Sequence, residues 1–119
     1  MVRGRQAGKA YNDGDLKTAR AIFEDLVDAD PGNAAAQGAL GALLVRVGET
    51  ENALVHLDRS IAIDPRDLTV YVNRGEAYLR LGRRGEAEGD LKKAISFDPA
   101  GKNPAANRAR LMLKGKLPQ

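Results

Sequence analysis

The chain lacks cysteine and tryptophan, and it has one histidine, two phenylalanines and three tyrosines among 119 residues. Without cysteine it can form neither disulfides nor thiolate metal sites. A single histidine cannot build a His-rich zinc site or a Cys–His nucleophile pair. Few aromatic rings are available for stacking on unpaired bases. The sequence therefore predicts no catalytic residues, metal, cofactor or nucleic-acid partner, and we expect a protein without enzymatic activity.

Long apolar runs are also missing. The longest apolar stretch, around residues 40–45, is far too short to span a bilayer. Residues 1–9 include basic side chains but no apolar segment follows them, as it would in a secretory signal. We expect a single cytoplasmic domain that does not insert into membranes.

Positive charge is concentrated at the C-terminal end. The net charge is +3, and residues 102–119 contain five lysines and arginines without any acidic residue. A basic tail can contact acidic surfaces. The composition of this segment is, however, typical of a capping helix with charges on its solvated face.

The chain repeats itself every 34 residues. Proline recurs at positions 31, 65 and 99, each time after aspartate, and glycines 14, 48 and 82 keep the same spacing. Between these breaks, apolar residues follow the i, i+3, i+4, i+7 spacing of amphipathic helices, as at Leu40, Leu43, Leu44 and Val47. A repeat of this length with two helical segments predicts a helix-turn-helix solenoid.

The repeat resembles the tetratricopeptide repeat family. In the third unit the signature positions hold Tyr71, Gly75, Tyr78, Gly82, Ala87, Leu91, Ala94 and Pro99. The resemblance implies an all-α, right-handed solenoid of three repeats, at residues 1–33, 34–67 and 68–101. A capping helix and basic tail would occupy residues 102–119. Small residues such as Gly41 and Ala53 would mark where the two helices of a repeat approach most closely.

Local signals predict the ends of these helices. Asn33 and Asp67 stand where an N-cap is needed. Asn103 followed by Pro104 predicts a seventh helix to about Lys114. We expect its alanines and leucines to cover the exposed flank of the last repeat, through Ala105, Ala106, Ala109, Leu111 and Leu113.

Several residues depart from the family pattern. Arg3 and Gln37 stand where a large apolar residue is usual, and Arg74 stands where leucine is usual. His56 is expected on the outer surface, and Asp90 on a solvated helix face with Lys92 and Lys93.

The resemblance also implies a concave groove that is lined by the first helix of each repeat and binds a protein or peptide partner. Small residues at its floor would let a partner backbone approach closely, and polar residues at its rim would orient it. The predicted groove residues are Tyr11, Asn12, Ala35, Gly38, Ala42, Val45, Arg46, Thr69, Val72, Asn73, Glu76, Leu79 and Arg80.

Alternatives to a binding scaffold remain open. The closing segment at residues 107–113 is similar to that of the class II translocator chaperones of type III secretion, which hold a secreted client. The cationic clamp with which some family members bind the acidic tails of chaperones is not expected, because its positions hold Gly4 and Gly8 in the first unit and Ala39 in the second. Weak homo-oligomerisation, and closure of the groove by the capping helix itself, are further alternatives.

Overall fold

The computed structural model describes residues 2–115, which contain seven α-helices and no strand. Six helices form three consecutive hairpins, and the seventh closes the stack, so the predicted all-α architecture of three helical hairpins and a capping helix is confirmed. The helices are α1 (Val2–Asn12), α2 (Leu16–Ala29), α3 (Ala34–Arg46), α4 (Thr50–Ile63), α5 (Leu68–Arg80), α6 (Arg84–Ser96) and α7 (Pro104–Leu113).

Side-chain caps begin helices and glycine turns follow them, as predicted. Asn33 Oδ1 accepts a hydrogen bond from the Ala36 amide at 3.1 Å, and Asp67 Oδ1 accepts one from the Thr69 amide at 3.1 Å. Each bond satisfies an amide that the first helical turn leaves without a partner. Gly48, just after α3, has a φ of 88°, which residues with a Cβ rarely adopt.

The two helices of the second and third hairpins approach closely at a glycine. A Cβ added to Gly41 of α3 would lie 2.6 Å from Cγ of Leu57 in α4. The equivalent atom on Gly75 of α5 would lie 2.9 Å from Cγ of Leu91 in α6. Both distances are below van der Waals contact, so these crossings require glycine. The prediction that small residues mark the closest approach is confirmed.

The buried apolar residues form two clusters. The first is contributed mainly by α1 to α4 and includes Leu43 and Leu57, both fully buried. The second joins α5 and α6 to α7 and includes Val72, Ala109 and Met112. Because the second cluster includes residues of α7, the last helix belongs to the core and is more than a loosely attached tail.

The seventh helix begins and ends close to the predicted positions. Asn103 Oδ1 caps it by accepting hydrogen bonds from the amides of Ala105 and Ala106. Its buried face consists of Ala106, Ala109 and Met112, at a spacing of three residues. The expectation for Leu111 was wrong: this side chain is 44% exposed, because it falls on the outer face of the helix. Lys116 of the basic tail lies outside the described residues.

Candidate functional site

A cleft of about 420 Å³ opens on the face formed by the first helix of each hairpin. We call it the A-helix cleft. Its lining comes from α1, α3, α5 and α7, so three hairpins and the capping helix build one site. The lining residues are Tyr11, Ala42, Val45, Arg46, Asn73, Glu76, Arg80 and Arg108.

Arginine side chains fix the geometry of this cleft. The guanidinium of Arg46 lies over the ring of Tyr11, 5.1 Å from its centroid, a cation–π arrangement between α3 and α1. Arg80 Nη1 donates to the backbone oxygen of Val45 at 3.0 Å and ties α5 to the last turn of α3. These contacts hold polar groups of neighbouring hairpins at the edge of a single cleft.

Glu76 connects the cleft to the capping helix. One carboxylate oxygen accepts a hydrogen bond from Arg80 at 2.8 Å, and the other accepts one from Arg108 of α7. Sequence reasoning missed Arg108, because α7 lies outside the 34-residue spacing that located the other lining residues. Its basic character was the only available signal.

Seven of the predicted groove residues line the A-helix cleft, and six do not. Asn12, Ala35 and Thr69 are exposed but lie outside the cleft. Leu79 is half-buried and packs against the second apolar cluster.

The structure corrects the remaining two positions. Val72 is fully buried in the cluster that contains Ala109 and Met112, so it offers no surface to a partner. Gly38 is also buried, and a Cβ added to it would lie 3.0 Å from Ser60 Oγ and 3.1 Å from Val70. Gly38 therefore faces the junction of α4 and α5. Val45 does line the cleft, but it is almost completely buried and contributes chiefly its backbone oxygen.

A second cleft, of about 530 Å³, lies between α2 and α4. We call it the B-helix cleft. Val27 and Leu40 are buried apolar residues in its lining, and the polar lining consists of three carboxylates from α2 and the imidazole of His56 from α4. The lining residues are Ala21, Glu24, Asp25, Val27, Asp28, Leu40 and His56.

His56 is half-buried, which corrects the expectation of an outer surface residue. Its Nδ1 lies 2.8 Å from Oε1 of Gln37, and the Gln37 amide nitrogen donates to the backbone oxygen of Pro31 at 3.0 Å. Because an amide oxygen only accepts, His56 Nδ1 is the donor and carries the proton. Burial, with a smaller effect of the Arg59 charge, lowers the pKa of His56 below 6.5. The imidazole is therefore neutral near pH 7, and its Nε2 is an acceptor.

The corresponding surface between α4 and α6 holds an ion pair. Arg74 of α5 donates to both carboxylate oxygens of Asp90 at 2.8 Å and to Asp58 at 3.0 Å. The hydrogen bonds to Asp90 raise the pKa of Arg74 above its ordinary value. The expectation that Asp90 lies on a solvated face was wrong. Its side chain is only 8% exposed, because it pairs with the arginine that replaces the usual leucine.

Within residues 2–115, every helix is too short or too polar to span a membrane. Within the same residues, no group of three or more histidine, cysteine, aspartate or glutamate side chains is arranged to hold a metal ion.

The chain belongs to the tetratricopeptide repeat family, which it matches at residues 10–67 and again at residues 69–100. It is 40% identical over 67 residues to the tetratricopeptide repeat and J domain-containing co-chaperone DNJ1 of Fusarium oxysporum f. sp. lycopersici. That match covers 56% of this chain and only 13% of the relative, so the chain corresponds to a small part of that protein.

Solved structures show the same fold. The OM64 TPR domain of Arabidopsis superposes with a TM-score of 0.84 at 22% identity, covering 98% of this chain and 94% of that one. PcrH, solved in complex with the chaperone binding region of PopD, superposes with a TM-score of 0.84 at 25% identity. The second superposition covers 97% of this chain and 88% of PcrH.

Proposed function

We propose that the chain is a non-catalytic interaction module that binds an extended peptide or a helix of a partner protein in the A-helix cleft. The proposal depends on one observation above all. A single cleft is lined by predicted groove residues from three separate repeats, namely Tyr11, Ala42, Arg46, Asn73 and Arg80. A surface built from several repeats can contact a partner along its length, as solenoid proteins do.

The chemistry of the cleft suits a polypeptide. Ala42 is half-buried and leaves space for a backbone to approach. Asn73 carries an amide that can donate to and accept from a peptide bond. Arg46, Arg80 and Arg108 surround the cleft with three cations, and Glu76 is the one carboxylate among the described residues that line it. We therefore expect the module to favour segments with carbonyl or carboxylate groups that can accept hydrogen bonds.

The comparisons support an interaction role without naming a partner for this chain. PcrH was solved with a region of another protein, PopD, bound to it. The relative in Fusarium is a co-chaperone that contains the same type of repeat. We propose the same general role, binding another protein, for the present chain. We also propose a cytoplasmic location and at most weak self-association.

A chaperone that holds one secreted client is the second candidate. The likeness to PcrH favours it, since the superposition extends over nearly the whole of both chains. The two functions differ in what the partner needs. A client should lose solubility when expressed without this chain, whereas the partner of a scaffold should remain soluble alone.

The proposed function can be tested by selecting binders from a random linear peptide library and measuring their affinities for variants. We expect Ala42→Glu to weaken binding at least tenfold, because the new carboxylate fills the cleft. Asn73→Ala should weaken binding about threefold, through loss of one or two hydrogen bonds. Ala62→Glu is the matched control, because Ala62 is an exposed alanine of α4 outside the cleft.

The readouts are the dissociation constant by calorimetry and the fold by circular dichroism. If Ala42→Glu fails to fold, Asn73→Ala decides the outcome. Selected peptides that bind Asn73→Ala and Ala62→Glu as tightly as the parent chain would place the binding surface elsewhere.

A further inference from the structure

The B-helix cleft is related by the internal repeat to a surface that already binds a guanidinium. Residues 34 positions apart occupy equivalent positions in successive repeats, so Leu40 corresponds to Arg74, His56 to Asp90 and Glu24 to Asp58. Between α4 and α6, Arg74 reaches out of α5 and is held by Asp90 and Asp58. Between α2 and α4, leucine occupies the position of the arginine, and a cleft of about 530 Å³ is found there.

The groups that surround this cleft accept hydrogen bonds. Glu24 provides a carboxylate at the position equivalent to Asp58, and Asp25 and Asp28 add two more carboxylates. His56 stands at the position equivalent to Asp90. Because its Nδ1 donates to Gln37, its Nε2 remains an acceptor in the neutral ring.

Cations of the chain itself only partly neutralise the cleft. Arg3 pairs with Asp25 at 2.8 Å on the exposed rim. Arg20 lies 3.5 Å from Glu24, but its hydrogen bonds go to Glu49. Among the residues that the structure describes, no lysine or arginine belongs to the lining of the cleft. The lining therefore combines excess negative charge at its edge with a floor that the buried side chains of Leu40 and Val27 close, which suits the cationic end of a side chain.

We propose that the B-helix cleft binds an arginine side chain of a partner protein, held by Glu24 and His56 as Arg74 is held by Asp58 and Asp90. Arginine is favoured over lysine because its planar fork can donate to two acceptors at once. This site shares no lining residue with the A-helix cleft, although α3 contributes residues to both. The chain would thus have a second contact surface, independent of peptide binding in the first.

The probe for this site is the peptide acetyl-Gly-Arg-Gly-amide, compared with versions that contain lysine or citrulline in place of arginine. Citrulline keeps the shape of arginine but removes its charge. Binding is followed by NMR through the ring signals of His56, the only histidine of the chain, and the amides of α2. We expect saturable shifts with arginine, at least threefold weaker binding of lysine, and at least tenfold weaker binding of citrulline.

Two variants locate the site. Glu24→Gln should weaken binding of the arginine peptide at least fivefold, whereas Glu88→Gln, on the exposed surface of α6, should leave it unchanged. Leu40→Arg places a guanidinium in the cleft from within the chain, as Arg74 does in the next repeat, and should abolish binding of the peptide. Circular dichroism checks the fold of both variants, and Glu24→Gln alone suffices if Leu40→Arg does not fold.

Three results would overturn the proposal. The first is shifts that do not saturate, and the second is equal binding of the arginine and citrulline peptides. The third is self-association of the chain that Glu24→Gln abolishes while the peptide fails to bind. That result would make an arginine of a second copy the occupant.

Discussion

Arg74 donates two parallel hydrogen bonds to the carboxylate of Asp90, from Nε and Nη2, each 2.8 Å long. The pair joins α5 to α6 at a position where the family usually has leucine. Asp90 is 8% exposed and Arg74 is 21% exposed, so the pair is largely removed from water. The guanidinium also lies 5.8 Å from the ring centroid of Tyr78. A bidentate, partly buried pair of this kind depends strongly on both partners being present.

We predict that Arg74→Met destabilises the protein by roughly 2–4 kcal/mol, because it leaves the buried carboxylate of Asp90 without its cation. The double variant Arg74→Met with Asp90→Leu should unfold within about 1 kcal/mol of the parent, because an apolar pair can replace a buried ion pair at little cost. Urea unfolding of Arg74→Met, Asp90→Leu and the double variant completes a double-mutant cycle. An Arg74→Met chain as stable as the parent would show that the pair contributes nothing.

The sequence predicts the positions of the helices well, because the residues that cap and end each helix act through local contacts. The caps at Asn33 and Asp67 and the turn at Gly48 depend on residues a few positions apart, so a single repeat contains the whole signal. The cleft was partly predictable for the same reason. Residues of the first helices recur every 34 positions, and seven of those chosen do line one cleft.

What the sequence could not predict depends on packing between distant elements. Val72 is buried because the second cluster also contains Ala109 and Met112 of α7, and nothing in the repeat spacing places that helix over α5. Arg108 enters the A-helix cleft for the same reason. Gln37 was a departure from the pattern without an explanation. In the structure it donates to the Pro31 oxygen, as Tyr71 donates to the equivalent oxygen of Pro65 in the next repeat.

Gly41 and Gly89 offer a matched test of where glycine is required. We predict that Gly41→Ala destabilises the protein by roughly 1–3 kcal/mol, because its Cβ would overlap Leu57, which is fully buried and cannot easily move. Gly89 lies in α6 with nothing within 4 Å of an added Cβ. Gly89→Ala should therefore stabilise by about 0.5–1 kcal/mol, through the better helix propensity of alanine. Thermal and urea unfolding measure both, and equal effects would contradict the close crossing of α3 and α4.

His56 should titrate below its ordinary pKa of 6.5, because burial and then the charge of Arg59 disfavour its protonated form, against an opposing effect of Glu24. The unfolded chain therefore binds the proton more readily than the folded one. The stability that His56 contributes is complete above pH 6.5, declines as the pH falls below this value, and levels off beneath the folded pKa. An NMR titration of this single histidine checks the direction of the shift.

Variants of the two charged neighbours separate the causes of this shift. Arg59→Gln should raise the pKa of His56 towards 6.5, and Glu24→Gln should lower it further. A titration of the parent chain at or above 6.5 would contradict the burial of the ring. Identical values in both variants would show that neither charge acts on it.

Asp98 should link the attachment of the capping helix to pH. Its carboxylate accepts hydrogen bonds from the amides of Asn103 and Lys102 and from Arg110 of α7. These contacts, led by the Asn103 amide, hold the pKa of Asp98 below its ordinary value of 3.8. Because the unfolded chain binds the proton more readily, the resulting stability is complete above pH 3.8. It is lost as the pH falls from there through the folded pKa.

Urea unfolding between about pH 5 and about pH 3 tests this link. We expect Asp98→Asn to remove part of the acid-induced loss of stability seen in the parent chain. Arg110→Met should remove less, because the amides of Asn103 and Lys102 remain bound to the carboxylate. Protection of the α7 amides, which is the intrinsic exchange rate at each pH divided by the observed rate, should fall in acid in the parent chain, whereas in Asp98→Asn it should be low already at pH 5. If Asp98→Asn keeps the full pH dependence of the parent, the carboxylate at the start of the last loop does not stabilise the docking of α7.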